Sequence, residues 1–171
     1  LRVFDQWAAN KAVQPLLILD MTDDGIPDLV LAQTSRIVIM RGLGDGKFEK
    51  DRVVFENWQN VSAVTGDLDK DGKSELIVLG LVRGDAGETV AKLGIMEGAT
   101  GKIRETLSEV PSGNADLYID DVDRDGKLDV IVGNAINGSK NVWVLAGRGD
   151  GTWVPGPRQD LHEHRHGGRD R

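Results

Sequence analysis

The sequence predicts an all-β chain built from about three four-stranded antiparallel units. Three observations carry that prediction. Acidic stretches of one pattern recur at 20–31 (DMTDDGIPDLVL), 67–78 (DLDKDGKSELIV) and 121–132 (DVDRDGKLDVIV). Each is bracketed by short apolar runs rich in β-formers and followed by a glycine turn. No segment longer than about ten residues sustains a 3.6-residue apolar period, so helices are not expected.

The repeat sets the size of the unit. Gly25, Gly72 and Gly126 close the three acidic stretches and lie 47 and 54 residues apart, near the length of one four-stranded propeller blade. In chain order, residues 1–12, opening LRVFDQW, read as the last strand of a preceding blade. The first blade is expected over 13–56: PLLIL (15–19), the acidic loop, LVLA, RIVIM (36–40), the turn GLGDGKF (42–48) and the polar strand FEKDRVVF (48–55). The second is expected over 57–111, with VSAVTG (61–66), LIVLG, KLGIM (92–96) and GATGKI (98–103), lengthened by RGDAGET (83–89). The third is expected over 112–158, with LYI (117–119), DVIVGN, NVWVL (141–145) and GRGDGTW (147–153). The Asp-Gly pairs at 45–46 and 150–151 are hairpin signals between β-type runs. Residues 159–171 form a polar, His-containing tail.

Crowded carboxylates repel, and the loop pattern suggests what relieves them. Side chains at the first, third and fifth places of a curled loop converge on one point, a glycine at the sixth permits the turn, the seventh offers a carbonyl and the ninth another carboxylate. A hard cation such as Ca²⁺ collects six to eight oxygens in this way. The candidate ligands are Asp20, Thr22, Asp24, the Ile26 carbonyl and Asp28 in the first loop. In the second they are Asp67, Asp69, Asp71, the Lys73 carbonyl and Glu75, and in the third Asp121, Asp123, Asp125, the Lys127 carbonyl and Asp129. Up to three Ca²⁺ are expected, with the first loop weakest because Thr22 is neutral. An EF-hand does not fit: its twelfth place needs Glu and its flanks helices, whereas Leu31, Val78 and Val132 stand there. A solvated acidic turn would account for one copy, but not for three in the same phase.

Composition bounds the rest. The chain has 171 residues, 39% of them hydrophobic, so a packed core is available. There is no Cys, which removes disulfides, thiolate nucleophiles and Cys-based zinc sites. Net charge is −7, which argues against nucleic acid or an anionic membrane as partner. Eleven of the 28 acidic residues belong to the three ligand sets, so the acidity describes metal sites first. No apolar run reaches the roughly 18 residues of a membrane-spanning helix.

A D-x-D-x-D-G-x-x-D loop before an apolar strand, then G-x-G-D-G-x-F/W, resembles the VCBS and FG-GAP repeat families, to which the integrin α-chain propeller is related. The resemblance covers about residues 13–155. It implies β-propeller blades with calcium in the loop joining the first two strands of each. FG-GAP tripeptides themselves are absent, and Thr22 breaks the first loop. Such propellers close with about seven blades, so three blades imply part of a larger protein or copies that assemble into a ring. The resemblance also implies an extracellular or periplasmic interaction or adhesion scaffold that binds a protein partner. A lectin-like glycan-binding module, or the non-catalytic part of a polysaccharide-active enzyme, is the alternative.

No residue reads as catalytic: there is no G-x-S-x-G elbow and no phosphate-cradling loop. His162, His164 and His166 all lie in the polar tail. Two RGD tripeptides occur, at 83–85 and 148–150; hairpin chemistry accounts for the second, and the first falls in a protruding loop. Trp58, Trp143 and Trp153 are expected in core or inter-blade packing rather than on a sugar-stacking surface.

Overall fold

The computed structural model describes residues 13–50, 52–98, 101–107, 115–136 and 139–161. The strand expected within 1–12 and the three histidines lie outside them. Among the described residues all regular structure is β, arranged as three four-stranded antiparallel sheets and one two-stranded ribbon.

The first sheet contains β1 (Val13–Leu19), β2 (Asp28–Gln33), β3 (Arg36–Met40) and β6 (Arg52–Glu56), in that order. Between β3 and β6, β4 (Gly42–Gly44) and β5 (Lys47–Phe48) form the ribbon. Asp45 and Gly46 join them with φ of 52° and 70°. Two positive φ values make the type I′ turn that suits the twist of a hairpin. Phe48 therefore belongs to this ribbon, and the fourth strand begins at Arg52 rather than at Phe48. The second sheet runs β7 (Gln59–Gly66), β8 (Glu75–Arg83), β9 (Thr89–Met96) and β10 (Ile103–Leu107). The third runs β11 (Ala115–Asp120), β12 (Asp129–Ile136), β13 (Ser139–Gly147) and β14 (Trp153–Leu161). Each sheet is an up-and-down meander, the form of a propeller blade.

Strand β8 is buried at consecutive positions because neighbouring blades cover both of its faces. In β8, Leu76 and Val78 join a cluster with Val30, Ile37 and Phe55 of the first blade. Ile77 and Leu79, pointing the other way, join Leu117, Val130 and Val132 of the third. The middle blade is thus buried from both sides. A bulge between Ile37 and Val38 inserts Val54 as the extra residue of β6, and both Val54 and Phe55 face the second blade. Trp58 follows in the two-residue link to β7. It is 1% exposed, its ring lies 5.0 Å from that of Phe55, and its amide donates to the Ser35 carbonyl. First strands meet along one side: β7 touches both β1 and β11, and the Leu117 N–H donates to Ser62 Oγ at 3.1 Å.

Candidate metal centre

Each acidic loop connects the first strand of a blade to its second, β1 to β2, β7 to β8 and β11 to β12. The three loops fold alike. The fourth residue takes a left-handed conformation (Asp23, Lys70 and Arg124, φ 59–65°), as does the glycine at the sixth (Gly25, Gly72 and Gly126, φ 80–88°). Two left-handed residues so close curl the backbone and turn its amides inward. The first-place carboxylates collect the glycine amides: Gly25 N–H to Asp20 at 2.7 Å, Gly72 N–H to Asp67 at 3.0 Å and Gly126 N–H to Asp121 at 2.9 Å. The fifth-place carboxylates, Asp24, Asp71 and Asp125, accept the amides of Ile26, Lys73 and Lys127 at 2.8–2.9 Å.

The ninth-place acids do something the spacing did not reveal. Asp28, Glu75 and Asp129 are all buried, at 0%, 3% and 1% exposure. Each accepts the second-place amide of its loop: Met21 at 2.9 Å, Leu68 at 2.8 Å and Val122 at 3.0 Å. Asp28 and Asp129 use their second oxygen on the amides of Gly42, just past β3, and Gly147, the last residue of β13, at 2.7 and 2.9 Å. In the first and third blades the ninth acid thus staples the acidic loop to the glycine turn. Burial pushes the Glu75 carboxyl above its ordinary range, with Asp69, Asp71 and Asp67 adding to the rise.

The expected ligand sets assemble unequally. Carboxylate oxygens of Asp67, Asp69 and Asp71 converge within 4.8 Å of one another, as do those of Asp121, Asp123 and Asp129. Asp67 Oδ1 is buried with no hydrogen-bond partner. An orphaned anionic oxygen beside two other carboxylates is the arrangement a divalent cation completes, so the residues present fit a hard metal ion. Asp125 is turned to the Lys127 ammonium at 2.6 Å, which holds its carboxyl below the usual carboxylate range. In the first loop Asp20, Thr22, Asp24 and Asp28 do not bring three carboxylates together among the described residues. There Arg41 donates to Asp24 from Nη2 at 2.7 Å and from Nε at 3.2 Å, and this ion pair lowers the Asp24 carboxyl. Nothing in the repeat pattern marks Arg41, because Glu97 and Ala146 hold the matching positions before Gly98 and Gly147.

The other motifs find their places. Arg83 and Asp85 are exposed on a tight turn closed by the Gly84 N–H to the Glu88 carbonyl at 2.8 Å. Asp150 of the second RGD accepts the amide and hydroxyl of Thr152 at 2.9 and 2.6 Å, a turn role. Trp143 and Trp153 pack against the cluster between the second and third blades. No described helix is long and apolar enough to cross a membrane.

Comparison with known proteins follows the same lines. An Agrocybe aegerita lectin, solved in a study of its specific recognition of non-reducing terminal N-acetylglucosamine, has a similar fold, with a TM-score of 0.56 and 20% sequence identity. The match covers 88% of this chain and 39% of the lectin chain. No curated protein sequence matches this one. The profile of the FG-GAP-like repeat matches residues 20–78 and 121–169, more than half of the chain and both of the loops whose carboxylates converge. With three like-folded acidic loops, each joining the first two strands of a four-stranded blade, the chain belongs to the FG-GAP-like repeat family.

Proposed function

We propose that this chain is a calcium-stabilised β-propeller module that serves as a rigid, non-catalytic scaffold for a protein or adhesive partner outside the cytosol. The observation that carries it is the buried, partnerless Asp67 Oδ1 within the Asp67–Asp69–Asp71 group. A Ca²⁺ ion there relieves the repulsion and orders the rim of the blade, leaving the neighbouring hairpin loops to make contacts. Calcium modules in extracellular fluid work with affinities of about 10⁻⁴–10⁻³ M, where ambient calcium fills them; that motivates the location. Further blades of a longer protein, or a second copy of the chain, complete the ring.

Thermal melting with calcium and with EGTA tests the metal. An ion at 100 times its dissociation constant adds about 2.7 kcal/mol per site, so the melting temperature rises by several degrees in calcium. Identical melts in the two buffers overturn the proposal.

A second reading is glycan binding. Its support is the lectin neighbour together with Tyr118, which is 60% exposed and lies between the exposed Asp116 and Asp120 on β11. An aromatic ring flanked by carboxylates on one strand suits stacking and hydroxyl hydrogen bonding with a sugar. A glycan array read with wild type and Tyr118→Ala decides it: binding lost in the variant supports this reading, and silence across the array removes it.

A further inference from the structure

We infer that the first acidic loop takes no divalent ion because Arg41 supplies its cation from within the chain, a conclusion that rests on the calcium reading of the other two loops. The three loops share a backbone path but differ in what sits against their carboxylates. In the first, the Arg41 guanidinium places two N–H groups on Asp24 Oδ2 and lies 3.5 Å from Glu49 through Nη1. The other Asp24 oxygen accepts the Ile26 amide, so both are engaged. Asp28 has each oxygen on a backbone N–H, as Asp129 has in the third loop, so the ninth place does not separate the two loops. Thr22 stands where Asp69 and Asp123 contribute carboxylates to the later groups. Lys73, reaching over from the second loop, sits 4.0 Å from Asp23.

The third loop also carries a cation, Lys127 on Asp125, and the contrast is informative. Lys127 belongs to the loop itself and engages the one carboxylate that stands outside the Asp121–Asp123–Asp129 group. Arg41 comes from the far end of β3, 17 residues beyond Asp24, and ties the loop to the glycine turn. A planar guanidinium presents fixed donors to carboxylates and never deprotonates in the working range. The first blade therefore has its loop ordered whether or not calcium is present, and the calcium response is confined to the second and third.

Isothermal titration of calcium into chelator-stripped full chain, paired with hydrogen exchange of the same samples, tests this. Wild type is expected to take two ions, and calcium is expected to slow exchange in 67–75 and 121–129 but not in 20–28. Thr22→Asp combined with Arg41→Gln restores the missing carboxylate and removes the guanidinium, and is expected to take three, with new calcium-dependent protection in 20–28. Calcium protection of 20–28 in wild type overturns the inference while the calcium reading stands. So does a double variant whose first loop stays unresponsive. No binding anywhere in wild type overturns the calcium reading and this inference with it.

Discussion

Asp28, Glu75 and Asp129 show what a buried charge requires. Each carboxylate is almost wholly removed from water, and such a group is tolerated only when its lone pairs are filled. Two backbone amides, at the second loop position and at the end of the third strand, do so for Asp28 and Asp129, whereas Glu75 accepts the Leu68 amide. Replacing Asp129 with Ala would strand the Val122 and Gly147 amides. The expected loss is about 2–4 kcal/mol in urea unfolding, since an unsatisfied buried donor costs about 1–3 kcal/mol. The loss should appear fully in EGTA, because the staple needs no metal. Asp123 is exposed, so Asp123→Ala should stay within about 0.5 kcal/mol of wild type in EGTA while abolishing part of the calcium-induced shift. Glu75 adds a pH signature. Its folded pKa stands above the ordinary 4.5, through burial first and its acidic neighbours second. The folded state therefore holds that proton more tightly than the unfolded chain, and stability falls as pH rises through the window between the two values. Asp24 and Asp125 are shifted the opposite way, below 3.8; their contributions are complete above that value and fade only in stronger acid. Melting in EGTA from pH 4.5 upward should thus show a decline that Glu75→Gln removes. Parallel curves for the two proteins would refute it.

At the level of the strand and its turns, one glycine per blade is fixed by a close backbone approach. A Cβ on Gly42, Gly98 or Gly147 would run into the carbonyl oxygen of Pro27, Ser74 or Leu128, the residue just before the ninth-place acid. The same approach brings Gly147 N–H onto Asp129, so Gly147→Ala would both clash and break the staple. Overpacking alone costs about 1–3 kcal/mol, and chemical denaturation of the variant should show at least that loss; a neutral outcome would mean the turn shifts freely. Much of this element structure was legible in the sequence. The acidic loop closed by glycine, DxDxDG in two copies and DxTxDG in the first, the Asp-Gly pair at 45–46 and the paired apolar runs specify loop, ribbon and meander because each is a local consequence of residue type. What was not legible depends on the fold. The left-handed fourth place carries Asp23, Lys70 and Arg124, none of them a glycine to announce it. Arg41 reaches its loop only because β3 ends beside the turn that β1 leaves. The ninth acid reads as a ligand from spacing, and its staple appears only once the third strand is in register.

Across the whole molecule, the blades stack by a rule that repeats without exception in the described sheets. Leu76 and Val130 face the blade before them, Ile77 the blade after, and Val30 does the same in the first. Alternation along a strand thus turns sequence phase into molecular order. Trp58, in the link between β6 and β7, lies outside that strand phase. It is expected in packing from the sequence, and its seat between the first two blades lies beside the bulge that sets Phe55 against it. The rule also makes identical positions unequal. Ile77 and Ile131 occupy the same place in their blades, two residues beyond the ninth acid. Ile77 has a third blade packed over it and is 0% exposed, whereas Ile131 is half-buried and pairs with the exposed Tyr118. Truncating a buried Ile to Ala costs about 2–5 kcal/mol, and the cost falls with the cavity left behind. Ile77→Ala should therefore lower the unfolding free energy by an amount in that range, and Ile131→Ala by less than half as much, in urea titrations of the isolated chain. Because Ile77 serves the interface to the third blade and its neighbours Leu76 and Val78 serve the interface to the first, its loss should loosen both at once, in a single transition. Equal costs at the two positions would mean that the outer face of the third blade is covered as fully as the face between blades.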